Sequence, residues 1–368
     1  MTLRPQRVLM TADTVGGVWT YAMELCREYG EREIEVILAT MGNAASPEQR
    51  AEVSYLSNVQ LRESQYKLEW MPEPWVDVDA AGEWLLALER ETEPDIIHLN
   101  GYAHGSLPFH APVIIVAHSC VCSWWSAVKG EEAPSQWGEY RERVRRGVHG
   151  ASVVVAPSNA MLDEIERRYG SPRRKAVIYN GRSPDHFRPA HKEPFVLAAG
   201  RVWDEAKNIA ALARVAPALD CPVFVAGDQT HPTQGTVPLN GVRSLGQLNA
   251  AALGQWFSRA AIYALPAKYE PFGLSALEAA LSGCALILGD IPSLREIWGN
   301  TAWFVPPDDA EALKGAINDL IELPAARETL ARKAQARALE FTPARMTRGY
   351  LRAYSQLLTD TASPRIAA

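Results

Sequence analysis

Glu270-Pro271-Phe272-Gly273-Leu274-Ser275-Ala276-Leu277-Glu278 sets two carboxylates around a glycine turn that opens an apolar helical run. The stretch follows a strand-like run, Ile262 to Leu265, and a loop from Pro266, so Glu270 is expected where an α/β sheet presents its loops to ligand. Glu278 is expected one turn into the helix. With the backbone N–H groups of Phe272, Gly273 and Leu274 between them, the carboxylates suit a ligand that is rich in hydroxyls and negatively charged, such as a nucleotide sugar. Ser275 and Glu278 also fit a capping box, in which the glutamate only returns a hydrogen bond to the serine backbone. Taken by itself, the stretch leaves both readings open.

Outward from this motif, the chain has 368 residues and is longer than most single cores, so two domains are expected. A hydrophobic content of 47% supplies two cores, and a net charge of -6 gives no electrostatic case for nucleic acid as partner. Five cysteines without regular spacing argue for a reducing compartment rather than a disulfide framework. The apolar run Val8 to Ala12 is too short for a signal peptide, and no stretch approaches the ~20 apolar residues of a membrane helix. A cytoplasmic, soluble protein is the expectation.

Strand-like runs alternate with helical stretches in both halves, which predicts two doubly wound parallel sheets. The first strand, from Arg7, leads to Gly16-Gly17, a junction where backbone can approach phosphate or sugar closely, or a tight turn with no ligand role. It is not the Gly-x-Gly-x-x-Gly fingerprint, which weakens a dehydrogenase reading. Helices are predicted over 84–91, 137–148, 310–321, 325–341 and 346–358, and the tail after Thr361 is expected to be disordered. His118 follows a run of apolar residues, as Asn100 does, and polar residues at successive strand ends suggest a shared ligand crevice.

His118, Cys120 and Cys122 have no second ligand pair at zinc-like spacing, so no metal is expected. Trp124 and Trp125 suit either the core or a platform for a sugar or apolar acceptor. Arg141, Arg143, Arg145 and Arg146, like Arg173, Arg174 and Lys175, suit a peripheral membrane contact or an ordinary solvated face. The proline-rich stretch 184–194 marks a domain connection, giving domains 1–190 and 191–343 and a C-terminal segment, 344–368. In the second half Arg201 follows Gly200, and Lys207-Asn208 opens the next helix. Two cations around one strand-to-helix loop are what a diphosphate needs.

In this order the motifs resemble the retaining glycosyltransferases of family 4, whose GT-B fold has two Rossmann-like domains facing a cleft. Gly16-Gly17, His118, Asn180-Gly181, Gly200-Arg201, Lys207-Asn208, Ala226-Gly227-Asp228, Leu245-Gly246 and Glu270 to Glu278 carry the likeness over nearly the whole chain. The resemblance implies that Arg201 and Lys207 hold the donor diphosphate and stabilise it as leaving group. It implies that Glu278 takes the ribose hydroxyls, while Glu270 and the backbone of Phe272, Gly273 and Leu274 orient the donor sugar. His118 would sit near that sugar, Gly16 and Gly17 near phosphate or acceptor, and backbone around Gly246 would select the base of a UDP- or GDP-sugar.

The family pattern also implies retention through front-face attack, no cofactor or metal, and a last helix that returns to the N-terminal domain. The acceptor, a saccharide, lipid-linked or small-molecule hydroxyl, is expected on the N-terminal half with Trp124 and Trp125 as walls. Arg182-Ser183 departs from the family, where a valine–aspartate pair is common. A nucleotide-sugar epimerase of related fold and a non-catalytic nucleotide-sugar-binding protein are the competing readings.

Overall fold

The computed structural model describes residues 3–231, 235–236 and 239–362, so the expected disorder of the tail falls almost wholly outside the described residues. The chain forms two compact units. The first takes the chain up to Ser123, Glu132–Gly181 and the chain from Pro343; the second takes Trp124–Glu131 and Arg182–Thr342.

In the first unit the strands are β1 (Arg7–Asp13), β2 (Glu35–Met41), β3 (Val59–Glu63), β4 (Ile96–Leu99), β5 (Val113–Val116), β6 (Val153–Ala156) and β7 (Lys175–Val177). All pair in parallel, in the order β3-β2-β1-β4-β5-β6-β7. Both faces are covered by helices, so the central strands are continuous apolar runs: Val8, Leu9 and Met10 are fully buried, as are Ile96 and Ile97.

The second unit repeats the plan with β8 (Glu193–Ala199), β9 (Val223–Ala226), β12 (Arg243–Gly246), β13 (Ala260–Leu265), β14 (Ala285–Gly289) and β15 (Trp303–Val305). Two further short strands, β10 (Thr230–His231) and β11 (Gly235–Thr236), pair with each other. The main sheet runs β12-β9-β8-β13-β14-β15, again parallel. Both sheets therefore follow the 3-2-1-4-5-6 order in which strand direction of travel reverses beside the first strand, and ligand crevices form at the carboxyl ends there. In the first unit that point lies between β1 and β4; in the second it lies between β8 and β13.

Several boundaries differ from the sequence expectation. The domain limit expected at 190 falls at Gly181–Arg182, because the proline-rich stretch already packs on the second unit. Phe187 meets Phe257 edge-on at 6.4 Å, and the Arg182 N–H donates to Phe341 O at 3.0 Å. The helix expected from Trp84 begins at Trp75, and Val121–Lys129 is helical. The helix expected to reach Phe341 ends at Ala338, and the last helix is longer than expected, Pro343–Ala362.

That last helix packs on the helix Gly17–Gly30, as the family resemblance implied. Polar contacts specify the docking: the hydroxyls of Tyr354 and Tyr29 meet at 2.9 Å, and Tyr354 Oη lies 2.5 Å from His98 Nδ1. Tyr21 Oη completes the imidazole's set at Nε2, 3.1 Å away. His98 is fully buried, and burial pushes it down to about 3.

A histidine held near 3 when folded and near 6.5 when unfolded makes the unfolded chain bind the extra proton. Its contribution is intact above pH 6.5 and is lost as pH falls toward 3. Lowering the pH from 7 to 5 should therefore cost about 2 kcal/mol through His98 alone. Denaturant unfolding at the two pH values should show a pH dependence smaller by this amount in His98→Phe than in the parent, the remainder coming from groups such as His118; an equal pH dependence in the variant would refute the assignment.

Candidate functional site

In the second unit the site begins where β8 ends. Arg201 follows Gly200 directly, and the stem of Lys207 lies against Gly200, so that a Cβ added there would stand 3.6 Å from Lys207 Cε. A one-turn 3-10 helix, Glu205–Lys207, presents the lysine. Asn208 then takes a left-handed conformation, φ 54°, and its amide donates to Pro266 O and Pro307 O at 2.9 and 2.7 Å. Those bonds tie this loop to the ones leaving β13 and β15.

Across the switch point, that loop carries Glu270, whose carboxylate is ion-paired to Lys207 with both side chains mostly buried. Gly273 sits at φ 91°, where an L side chain is strained, and a Cβ there would also press on Glu270 Cγ at 3.3 Å. The glycine thus permits the turn that opens the helix Leu274–Leu281. Phe272 is buried edge-on against Phe341 at 5.6 Å, so its ring belongs to the core. Gly246, at φ 66°, ends β12 and accepts from the Gly227 N–H at 2.8 Å.

The capping-box alternative for Ser275 and Glu278 falls. Gly273, not Ser275, occupies the cap position and makes no side-chain cap bond. The Ser275 hydroxyl accepts from Tyr263 Oη at 2.7 Å, and Glu278 Oε1 accepts from Arg182 Nε at 2.8 Å. Arg182, the departure from the family pattern, is thus a buried partner of the motif's second glutamate. Asp204 is a further residue that the sequence did not single out. It accepts from Arg201 at 3.0 Å, from the Ala206 N–H at 3.0 Å and from the Trp124 indole at 2.9 Å. Burial pushes its carboxyl up, but Arg201, Lys207 and these hydrogen bonds outweigh that and hold it below the ordinary range.

Three cation–carboxylate pairs therefore stand here: Arg182 with Glu278, Arg201 with Asp204, Lys207 with Glu270. Trp124 and Trp125 group with this second unit rather than with the first, where acceptor walls were expected, because the Trp124 indole is committed to Asp204. Trp125 stacks edge-on with Trp124 at 5.9 Å.

In the first unit Gly16, at φ 88°, precedes the helix Gly17–Gly30 beside the end of β1 and offers no side-chain cap, and Gly16 and Gly17 are exposed. His118 follows β5 and is half-buried. Its Nε2 lies 2.8 Å from Asn100 Oδ1, its ring meets Tyr21 edge-on at 4.6 Å, and burial pushes it down to about 3. It is neutral at ordinary pH.

The arginine-rich helix Gly138–Gly150 is not a bare basic face. Arg143 pairs with Asp79 and Glu139 and stacks on Trp75, Arg145 and Arg146 share Glu142, and Arg141 donates to Ala133 O. Among the described residues no helix is long and apolar enough to cross a membrane.

Two sequence families match. The model of Glycosyltransferase Family 4 covers residues 15–186, and that of Glycosyl transferases group 1 covers residues 180–337. Glycogen synthase of Mycobacterium tuberculosis is 29% identical over 278 residues, an alignment covering 68% of this chain and 66% of that protein. Sucrose-phosphate synthase from Thermosynechococcus elongatus superposes with a TM-score of 0.80 at 20% identity, over 96% of this chain and all of that one. HepE of Anabaena in complex with UDP-glucose gives a TM-score of 0.74 at 18% identity, over 96% and 99%.

Proposed function

Because the chain belongs to glycosyltransferase family 4, we propose that it moves a sugar from a nucleoside-diphosphate sugar to an acceptor hydroxyl, with retention and without a metal ion. The observation that carries this reading is the meeting of Arg201, Lys207 and Glu270 at the switch point of the second sheet. The two cations bind the diphosphate and neutralise the charge that grows on it as the bond to the anomeric carbon breaks. Released from Lys207, Glu270 accepts hydroxyls of the donor sugar, and the N–H groups of Phe272, Gly273 and Leu274 help to orient it. Glu278, held on one oxygen by Arg182, offers its carboxylate to the ribose hydroxyls.

His118 sits near the transferring sugar. Attack comes from the face the leaving group departs from, and the departing phosphate oxygen receives the acceptor's proton. Gly16, Gly17 and Gly246 contribute backbone, the first two to phosphate or acceptor and the last to the base. The acceptor is a saccharide, lipid-linked or small-molecule hydroxyl. The pairing of the Arg141–Arg146 charges favours a solvated face there over a lipid surface.

UDP-sugars are the first donors to try, since HepE is described with UDP-glucose; GDP-sugars come second. A thermal-shift panel of UDP-, GDP- and ADP-sugars tests the donor: a ligand at about 100 times its dissociation constant adds about 2.7 kcal/mol. One of these should stabilise the chain, and transfer from it should survive EDTA. A flat panel would remove the donor reading, and activity lost in EDTA but restored by a divalent ion would remove metal independence.

A further inference from the structure

The proton on His118 can be located from its neighbours. Asn100, just past the end of β4, uses its Nδ2 to donate to Thr11 O at 2.6 Å, and its backbone N–H donates to Thr11 Oγ1 at 2.8 Å. A carbonyl oxygen only accepts, so the amide must turn its nitrogen to Thr11 and its oxygen to His118. Oδ1 also only accepts. The imidazole nitrogen 2.8 Å from it, Nε2, must therefore carry the hydrogen. The ring is neutral, so its other nitrogen, Nδ1, holds a lone pair, and no hydrogen-bond partner for it is found among the described residues. Tyr21, the ring packed edge-on against the imidazole, has its hydroxyl on His98.

We infer that Asn100 is a positioning residue that fixes His118 as the Nε2–H tautomer, so that the open edge of the imidazole accepts a hydrogen bond from a substrate hydroxyl and turns away phosphate oxygens. This rests on the transferase reading of the site, and it narrows that reading. A protonated or Nδ1–H imidazole could have served the diphosphate; a lone pair pointing outward repels it. The group His118 touches is an O–H.

The test needs no variant to begin. Long-range 1H–15N spectra of the full chain labelled with 15N-histidine should show His118 Nδ1 unprotonated and Nε2 protonated, unchanged from pH 5 to 9. A proton on Nδ1, or a mixture of tautomers, would overturn the assignment. Asn100→Ala, checked by thermal melting, should turn the single tautomer into a mixture and lower the turnover of the assigned donor by up to about tenfold, the worth of one hydrogen bond. An unaltered tautomer in a folded variant would show that Asn100 does not set it. UDP-glucose should shift the Nδ1 resonance and UDP alone should not; an equal shift from UDP would sink the hydroxyl assignment. Should UDP-glucose give no thermal shift, the donor choice fails, while the free-protein spectrum still decides the role of Asn100.

Discussion

Arg201→Ala should lower turnover at saturating donor by about 10²–10³, the loss seen when a single donor to a developing negative charge is removed. The effect belongs in turnover because the charge on the leaving diphosphate grows only as its bond to the sugar breaks. Arg201 suits the measurement. Its side chain is 40% exposed and lies on Trp203, and its partner Asp204 keeps the charge of Lys207 and the Trp124 and Ala206 hydrogen bonds without it. Stability should fall less than turnover does. Lys207→Ala should cost turnover as much and stability as well, since Glu270, with a side chain 11% exposed, loses the one cation paired with it among the described residues. Melting curves and single-turnover rates on both variants separate the two effects. An Arg201→Ala enzyme within a factor of two of the parent would end the leaving-group assignment.

The contrast between these two cations shows which parts of the molecule could be read in advance. The strand ends were legible because parallel strands buried on both faces are continuous apolar runs, with His118 and Arg201 just past two of them and Glu270 on the loop that leaves a third. What those residues bind in the folded chain was not. Lys207 meets Glu270 across 63 residues, and Arg182 meets Glu278 across 96. No local signal encodes such pairs. A local signal can also mislead. Ser275-x-x-Glu278 has capping-box spacing but lies inside its helix, whereas Ser46-Pro47-Glu48-Gln49, passed over, is a true box with proline at the first turn. The helix Val121–Lys129 was hidden by its cysteine, serines, tryptophans and valines, types of modest helix propensity. The hydrogen bond that groups Trp124 with the second unit and makes Asp204 part of the site spans 80 residues, beyond the reach of any local signal.

Arg182→Met should destabilise the chain by about 3 kcal/mol, the lower end for breaking a buried ion pair, because Glu278 loses its guanidinium countercharge. The geometry is that of a committed pair: Nε to Oε1 is 2.8 Å, the side chains are 8% and 10% exposed, and the guanidinium also lies over Phe187 at 5.0 Å. Methionine keeps much of the stem volume, so the change tests charge more than packing. Replacing both members, Arg182→Met with Glu278→Leu, should restore most of the stability, since a buried pair and an apolar pair of similar volume are close in free energy. Donor affinity should not return with it. The ribose hydroxyls need an acceptor, and leucine has none, so the double variant should fold like the parent while binding the nucleotide sugar as weakly as Glu278→Leu does. Denaturant unfolding and donor titration on the four proteins give the cycle. If the double variant recovered donor affinity together with stability, Glu278 would be a structural partner of Arg182 and nothing more; if Arg182→Met unfolded at the parent's denaturant concentration, the pair would be contributing nothing measurable to the fold.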